Sequence, residues 1–117
     1  MNNKKHTCLY FVISCMDFRF QSSVDKLLES ENIHLGDFDR VSVAGGAGNF
    51  KSLDEHASIS KKLHDTQTAV LIVHEDCGAG AKLEDLPKAA AIAKKYFSDI
   101  RCFYLKLDGG IEKISAE

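Results

Sequence analysis

Cys8-Leu-Tyr-Phe-Val-Ile-Ser14 decides how this chain is read. The run is continuously apolar, rich in aromatic and β-branched side chains, and of strand length. A half-solvated strand alternates apolar and polar residues, whereas one without alternation is covered on both faces. Thr68 to Val73 (Thr-Ala-Val-Leu-Ile-Val) repeats the pattern. Two such strands need a layer on each side, and the segments between them have helical character.

Working outward, Ser22 or Ser23 is positioned to cap a helix to about Ser30, with Val24, Leu27 and Leu28 on one face. Asp39 to Ala44 reads as a second strand, closed by Gly45-Gly-Ala-Gly-Asn49. A second helix starts near Ser52, where Ser52-Leu-Asp-Glu55 fits a capping box, and its spacing predicts Leu53, Ile59 and Leu63 inward. After the Thr68–Val73 strand and a loop containing Cys77-Gly-Ala-Gly80, Pro87 marks the start of a third helix ending near Phe97. Arg101 to Leu107 is a fourth strand. Asp108-Gly109-Gly110 is a turn, and Ile111 to Ser115 fits a short antiparallel return.

The reading is an α/β fold: one domain over residues 1–117, with four mostly parallel strands in the order 2-1-3-4 and helices on both faces. Crossovers should be right-handed, and ligands should gather at the strands' carboxyl ends, at the switch point between strands 1 and 3. The 117 residues suit one domain. Hydrophobic residues at 44% and charged residues at 27% are ordinary for a globular protein. With 15 Lys and Arg against 17 Asp and Glu, the net charge of −2 argues against a nucleic-acid binder. No apolar run approaches the ~20 residues of a membrane helix. The basic start Met1-Asn-Asn-Lys-Lys-His6 precedes no small-residue cleavage site, so a cytoplasmic location is expected. There, four cysteines suggest metal, catalysis or packing before disulfides.

Three soft ligands fall at the expected switch point. Cys15 follows strand 1, His74 follows strand 3, and Cys77 lies three residues on. Two thiolates and an imidazole suit one Zn²⁺ per chain, with a fourth tetrahedral position left open. Taken singly, each reads first as a buried core residue; the three together at two adjacent strand ends point to a metal. Cys15-Met-Asp17-Phe-Arg19 sets a carboxylate and a guanidinium two residues apart, on the same side of an extended segment. Asp17, held ionised by Arg19, either accepts a hydrogen bond from a metal-bound hydroxide or itself ligates the metal.

Cys15-x-Asp17-x-Arg19 followed by His74-x-x-Cys77-Gly78 resembles the β-class carbonic anhydrase family. The likeness runs in order from Leu9 to Ile114, through Ala47-Gly48-Asn49 and the final strands; only the two motifs are specific. It implies zinc on Cys15, His74 and Cys77, with Asp17 and Arg19 as the dyad that orients the zinc-bound hydroxide. It also implies reversible hydration of carbon dioxide to bicarbonate, and a homodimer whose interface shapes the pocket. Relatives with this ligand set act on carbonyl sulfide or carbon disulfide, and in some members the Asp closes the metal site as a fourth ligand. A non-catalytic zinc module closed by Asp17 is therefore the reading from another class.

The chain departs from the family at Phe18, usually a small residue, and at Gly45-Gly46, usually Arg-Asn. With seven residues ahead of Cys8, the family's N-terminal helical arm is not expected in this stretch. Phe18, Phe20 and Phe50 are candidates for a pocket wall or for core. The Gly45–Asn49 run reads as an anion cradle or a tight connection; it lacks the Lys-Ser/Thr of a P-loop. No Cys-x-x-Cys supports thiol redox chemistry. His34, His56 and His64 are expected on the surface, His56 or His64 being available as a proton shuttle. Cys8 and Cys102 are expected in the core, and Lys61-Lys62 and Lys94-Lys95 on solvated helix faces.

Overall fold

The computed structural model describes residues 6–116. The basic start before His6, including any counterpart of the family's arm there, lies outside them. Strands β1 (Tyr10–Cys15), β2 (Phe38–Val43), β3 (Thr68–His74), β4 (Asp99–Leu105) and β5 (Ile111–Ile114) alternate with helices α1 (Gln21–Ser30), α2 (Phe50–His64) and α3 (Leu86–Ala93). They form one sheet in the order β2-β1-β3-β4-β5. The first four strands are parallel and β5 returns antiparallel on β4, as the sequence pattern predicts. No helix among the described residues is long and apolar enough to cross a membrane.

Alternation of side chains along the strands builds two cores. Phe11 and Ile13 of β1 join Ala69, Leu71 and Val73 of β3 under α2 and α3, against Leu53, Ala57, Leu86 and Ala89. Val12, Val70 and Ile72 point to the other face, against Val24, Leu27 and Leu28 of α1. Truncating one such leucine to alanine costs ~2–5 kcal/mol, a large part of the ~5–15 kcal/mol that holds a domain together. Both helical layers are therefore needed to fix the strand ends on which the site is built.

Several local expectations are corrected. The capping residue of α2 is Asn49, whose Oδ1 accepts the Ser52 N–H at 3.2 Å, so the helix starts at Phe50. Its inward stripe is Leu53, Ala57 and Ser60, while Ile59 and Leu63 are 52% and 54% exposed. At 100° per residue, 59 and 63 rotate well away from the face carrying 53 and 57. Ser60 tolerates burial because its hydroxyl donates to Asp39 Oδ2 at 2.7 Å and lies 2.9 Å from Thr66 Oγ1. α1 begins at Gln21, one turn of 3₁₀ helix (Phe18–Phe20) leading into it. α3 stops at Ala93, and β4 runs from Asp99 to Leu105. Cys102 is buried in β4 as expected, but Cys8 precedes β1 and is only half-buried. His34 is exposed, whereas His56 and His64 are half-buried and hydrogen-bonded.

Candidate metal centre

β1 and β3 are parallel neighbours, so their carboxyl ends lie side by side. Cys15 is the last residue of β1 and His74 the last of β3. The loop after His74 returns Cys77 to the same place. The ligand atoms of Cys15, His74 and Cys77 all lie within 4.8 Å of one another. Tetrahedral zinc with bonds of ~2.3 Å to sulfur and ~2.0 Å to nitrogen needs donors about 3.5–3.8 Å apart, a spacing inside that bound.

The imidazole itself tests whether the cluster suits a metal. His74 Nδ1 lies 2.7 Å from the Glu75 carbonyl, which can only accept, so Nδ1 carries the hydrogen. The lone pair is then on Nε2, which is buried and has no hydrogen-bond partner among the described residues. An unsatisfied buried polar atom costs about 1–3 kcal/mol. Two thiols beside it are the partners a soft cation would share. Phe20 stacks on the ring at 4.0 Å between centroids and fixes its plane. Backbone hydrogen bonding of Nδ1 and stacking on the ring are supports that orient a metal-ligating histidine. The donor set and its surroundings fit zinc.

Asp17 and Arg19 meet as their spacing predicts. Arg19 Nη2 and Nε donate to Asp17 Oδ2 at 2.7 and 3.2 Å, and Nε also reaches Oδ1 at 3.1 Å. The Arg19 backbone N–H donates to Oδ1 at 2.9 Å. The Arg19 side-chain bonds, then its backbone bond, hold the Asp17 carboxyl down at about 2, and the same pairing raises Arg19. Asp17 Oδ2 lies 3.9 Å from His74 Nε2, so the carboxylate borders the same space as the three soft donors.

Two supporting residues, Asp76 and Gln21, are not singled out by the sequence. Asp76 clamps the far side of Arg19, its carboxylate accepting from Nη1 at 3.1 Å and its carbonyl from Nη2 at 3.0 Å. It adopts the left-handed region (φ 58°) inside the His74–Cys77 loop. An acidic residue between the two candidate ligands was the available signal. Gln21 donates to the Cys15 and Asp17 carbonyls at 3.1 and 2.9 Å, pinning the loop after β1. Gly46, part of the Gly45–Asn49 run that the sequence reads as an anion cradle or a tight connection, has φ +54°, and a Cβ there would lie 2.6 Å from Ile72 O and 2.7 Å from Cys15 N. Only glycine lets this turn seat against the ends of β1 and β3. Gly45 donates its N–H to Cys15 Sγ at 3.4 Å. The Gly45–Asn49 run is thus a tight connection that backs the cluster.

Of the three phenylalanines, Phe20 is core, Phe50 packs at the core's edge, and Phe18 is 85% exposed on the cleft. That cleft lies over the cluster, walled by Cys15, Met16, Phe18, Ala44, Cys77 and Ala79.

Fold and cluster together define a class: an α/β protein with a parallel sheet and a two-cysteine, one-histidine cluster at its carboxyl edge. Residues 4–109 match the family model described as "Putative carbonic anhydrase". The chain belongs to the carbonic anhydrase family, and its enzyme class is that of these lyases. It is 30% identical to an "Uncharacterized protein" of Rickettsia bellii (strain RML369-C), over 88% of this chain and 79% of that one. Its fold is that of a carbonic anhydrase from Streptococcus mutans (TM-score 0.66, 16% identity, covering 95% of this chain and 84% of that one). It is likewise that of a β-carbonic anhydrase from Aspergillus fumigatus (TM-score 0.64, 9% identity, covering 96% and 77%).

Proposed function

We propose that this chain, as one domain, catalyses reversible hydration of carbon dioxide to bicarbonate and a proton, with one zinc ion held by Cys15, His74 and Cys77. The observation that carries the reading is the buried, unpartnered His74 Nε2, converging with two thiols beside a carboxylate already held by arginine. Zinc bound there supplies the Lewis acidity that makes water nucleophilic near neutral pH.

The chain's own residues do the rest. Asp17, ionised and fixed by Arg19, is acceptor-only, so it orients the reacting water by taking a hydrogen bond from it. Asp76 keeps Arg19 turned toward Asp17. The Glu75 carbonyl and the Phe20 ring hold His74 with Nε2 toward the thiols. The cleft wall of Met16, Phe18, Ala44 and Ala79 offers an apolar approach suited to a small uncharged substrate. Engagement of both Asp17 oxygens by Arg19 favours this reading over a zinc module closed by Asp17.

The test is stopped-flow hydration of carbon dioxide on zinc-quantified protein across pH, with carbonyl sulfide and carbon disulfide as parallel substrates. Turnover that rises with pH and tracks zinc supports the proposal; full occupancy without turnover on carbon dioxide refutes it. A chelator is expected to silence the enzyme while its circular dichroism persists, because none of the three candidate ligands belongs to either core cluster. Unfolding on chelation would instead mark a structural site. Arg19→Ala is expected to keep zinc and slow turnover about 10–100-fold, the scale of lost outer support at a metal. Unchanged turnover would remove the dyad from the mechanism.

We further propose a homodimer in a reducing, cytoplasmic setting. Phe18 and Met16 present apolar surface at the mouth of the cleft, and all four cysteines are free thiols. Phe18→Ser is expected to shift light scattering from dimer toward monomer.

A further inference from the structure

Across the sheet from the first cluster, at the amino ends of the parallel strands, a second set of unlike donors converges. Cys8 precedes β1, Asp39 is the second residue of β2, and His64 is the last residue of α2. Their ligand atoms lie within 4.8 Å of one another, and His6 lines the same cleft. The seven-residue step from Cys8 to Cys15 separates the two clusters by about 20 Å of extended chain.

We propose that Cys8, Asp39 and His64 form a second site for a soft divalent cation of the zinc type. His64 Nδ1 lies 2.7 Å from Asp39 Oδ2, which also accepts the Ser60 hydroxyl at 2.7 Å. A cation seated there would take the place of the hydrogen shared by that pair, with Cys8 Sγ, an Asp39 carboxylate oxygen and His64 Nδ1 as its donors. His64 also ends a fifteen-residue helix, whose carboxyl terminus favours positive charge.

The site is a poor one for a thiolate without metal. Burial, then the Asp39 and Asp37 carboxylates, push the Cys8 thiol up, which opposes a cysteine nucleophile served by His64. A bound cation reverses that field: the thiol proton leaves to solvent and sulfur bonds the metal. The mixture of one sulfur, one carboxylate and imidazole suits zinc better than the all-oxygen shells of calcium or magnesium.

Metal-stripped wild type, Cys8→Ala and His64→Gln are titrated with Zn²⁺ against a chromogenic chelator. The expected result is one more zinc per wild-type chain than per variant chain, or that zinc held about 10²-fold more weakly in the variants. Cys8→Ala should leave carbon dioxide hydration intact. Equal stoichiometry and affinity in folded wild type and Cys8→Ala overturns the site and leaves Asp39–His64 as a hydrogen-bonded pair only. Cys8 is half-buried outside the sheet, so Cys8→Ala decides the matter even where His64→Gln destabilises α2. The readout is a difference between chains. Failure of the Cys15–His74–Cys77 reading would lower all totals equally, and Cys77→Ala reports on it separately.

Discussion

Cys77→Ala is expected to bring carbon dioxide hydration to the uncatalysed rate and to bind one zinc fewer per chain, with the fold unchanged. The proposed centre has three protein donors, and removal leaves one thiol and one imidazole. Structural zinc sites with four ligands bind with about 10–16 kcal/mol, so each ligand carries about 3 kcal/mol, or roughly 10²-fold in affinity. The fold should survive because Cys77 is half-buried in a loop and belongs to neither core. Metal analysis, hydration kinetics and circular dichroism on one preparation make the comparison. A folded variant with wild-type zinc content and turnover would sink the assignment of Cys77.

Gly46→Ala is expected to cost about 3–5 kcal/mol, among the largest effects of a single methyl group on this fold. The left-handed φ of +54° alone disfavours alanine by about 1–2 kcal/mol. The added carbon would then sit 2.6 Å from Ile72 O, 2.7 Å from Cys15 N and 2.9 Å from Ser14 C. All three are backbone atoms in the ends of β3 and β1, held by strand pairing, and none can swing aside as a side-chain tip would. The strain falls on Cys15 directly, so zinc affinity should drop with stability. Gly78→Ala is the control: a Cβ there meets nothing within 4 Å, and a change within ~0.5 kcal/mol is expected. Urea unfolding of the three proteins measures this, and a Gly46→Ala midpoint equal to wild type would show that the turn relaxes freely.

The strand order and the convergence of Cys15 with His74 were legible because apolar runs without alternation demand layers on both faces. A switch point between neighbouring strands follows from that topology. The inward face of α2 departs from the sequence expectation for an equally physical reason. Ile59 and Leu63 are apolar, but position on the helix, not hydrophobicity, selects the buried stripe, and Ser60 is admitted because Asp39 and Thr66 meet its hydroxyl. Cys8 opens the apolar run and so resembles core in sequence, yet the pairing with β2 and β3 begins at Tyr10.

By itself, then, the sequence determined the layered sheet, the family likeness and the residue types of the candidate centre, because periodicity and short motifs are local properties of the chain. The tertiary structure decided what stands behind those residues. Asp76 on Arg19, Phe20 on His74, Gly46 beneath Cys15 and the meeting of Cys8, Asp39 and His64 join segments far apart in the chain. Such contacts depend on strand register and helix rotation, where one residue of slip carries a side chain to the opposite face.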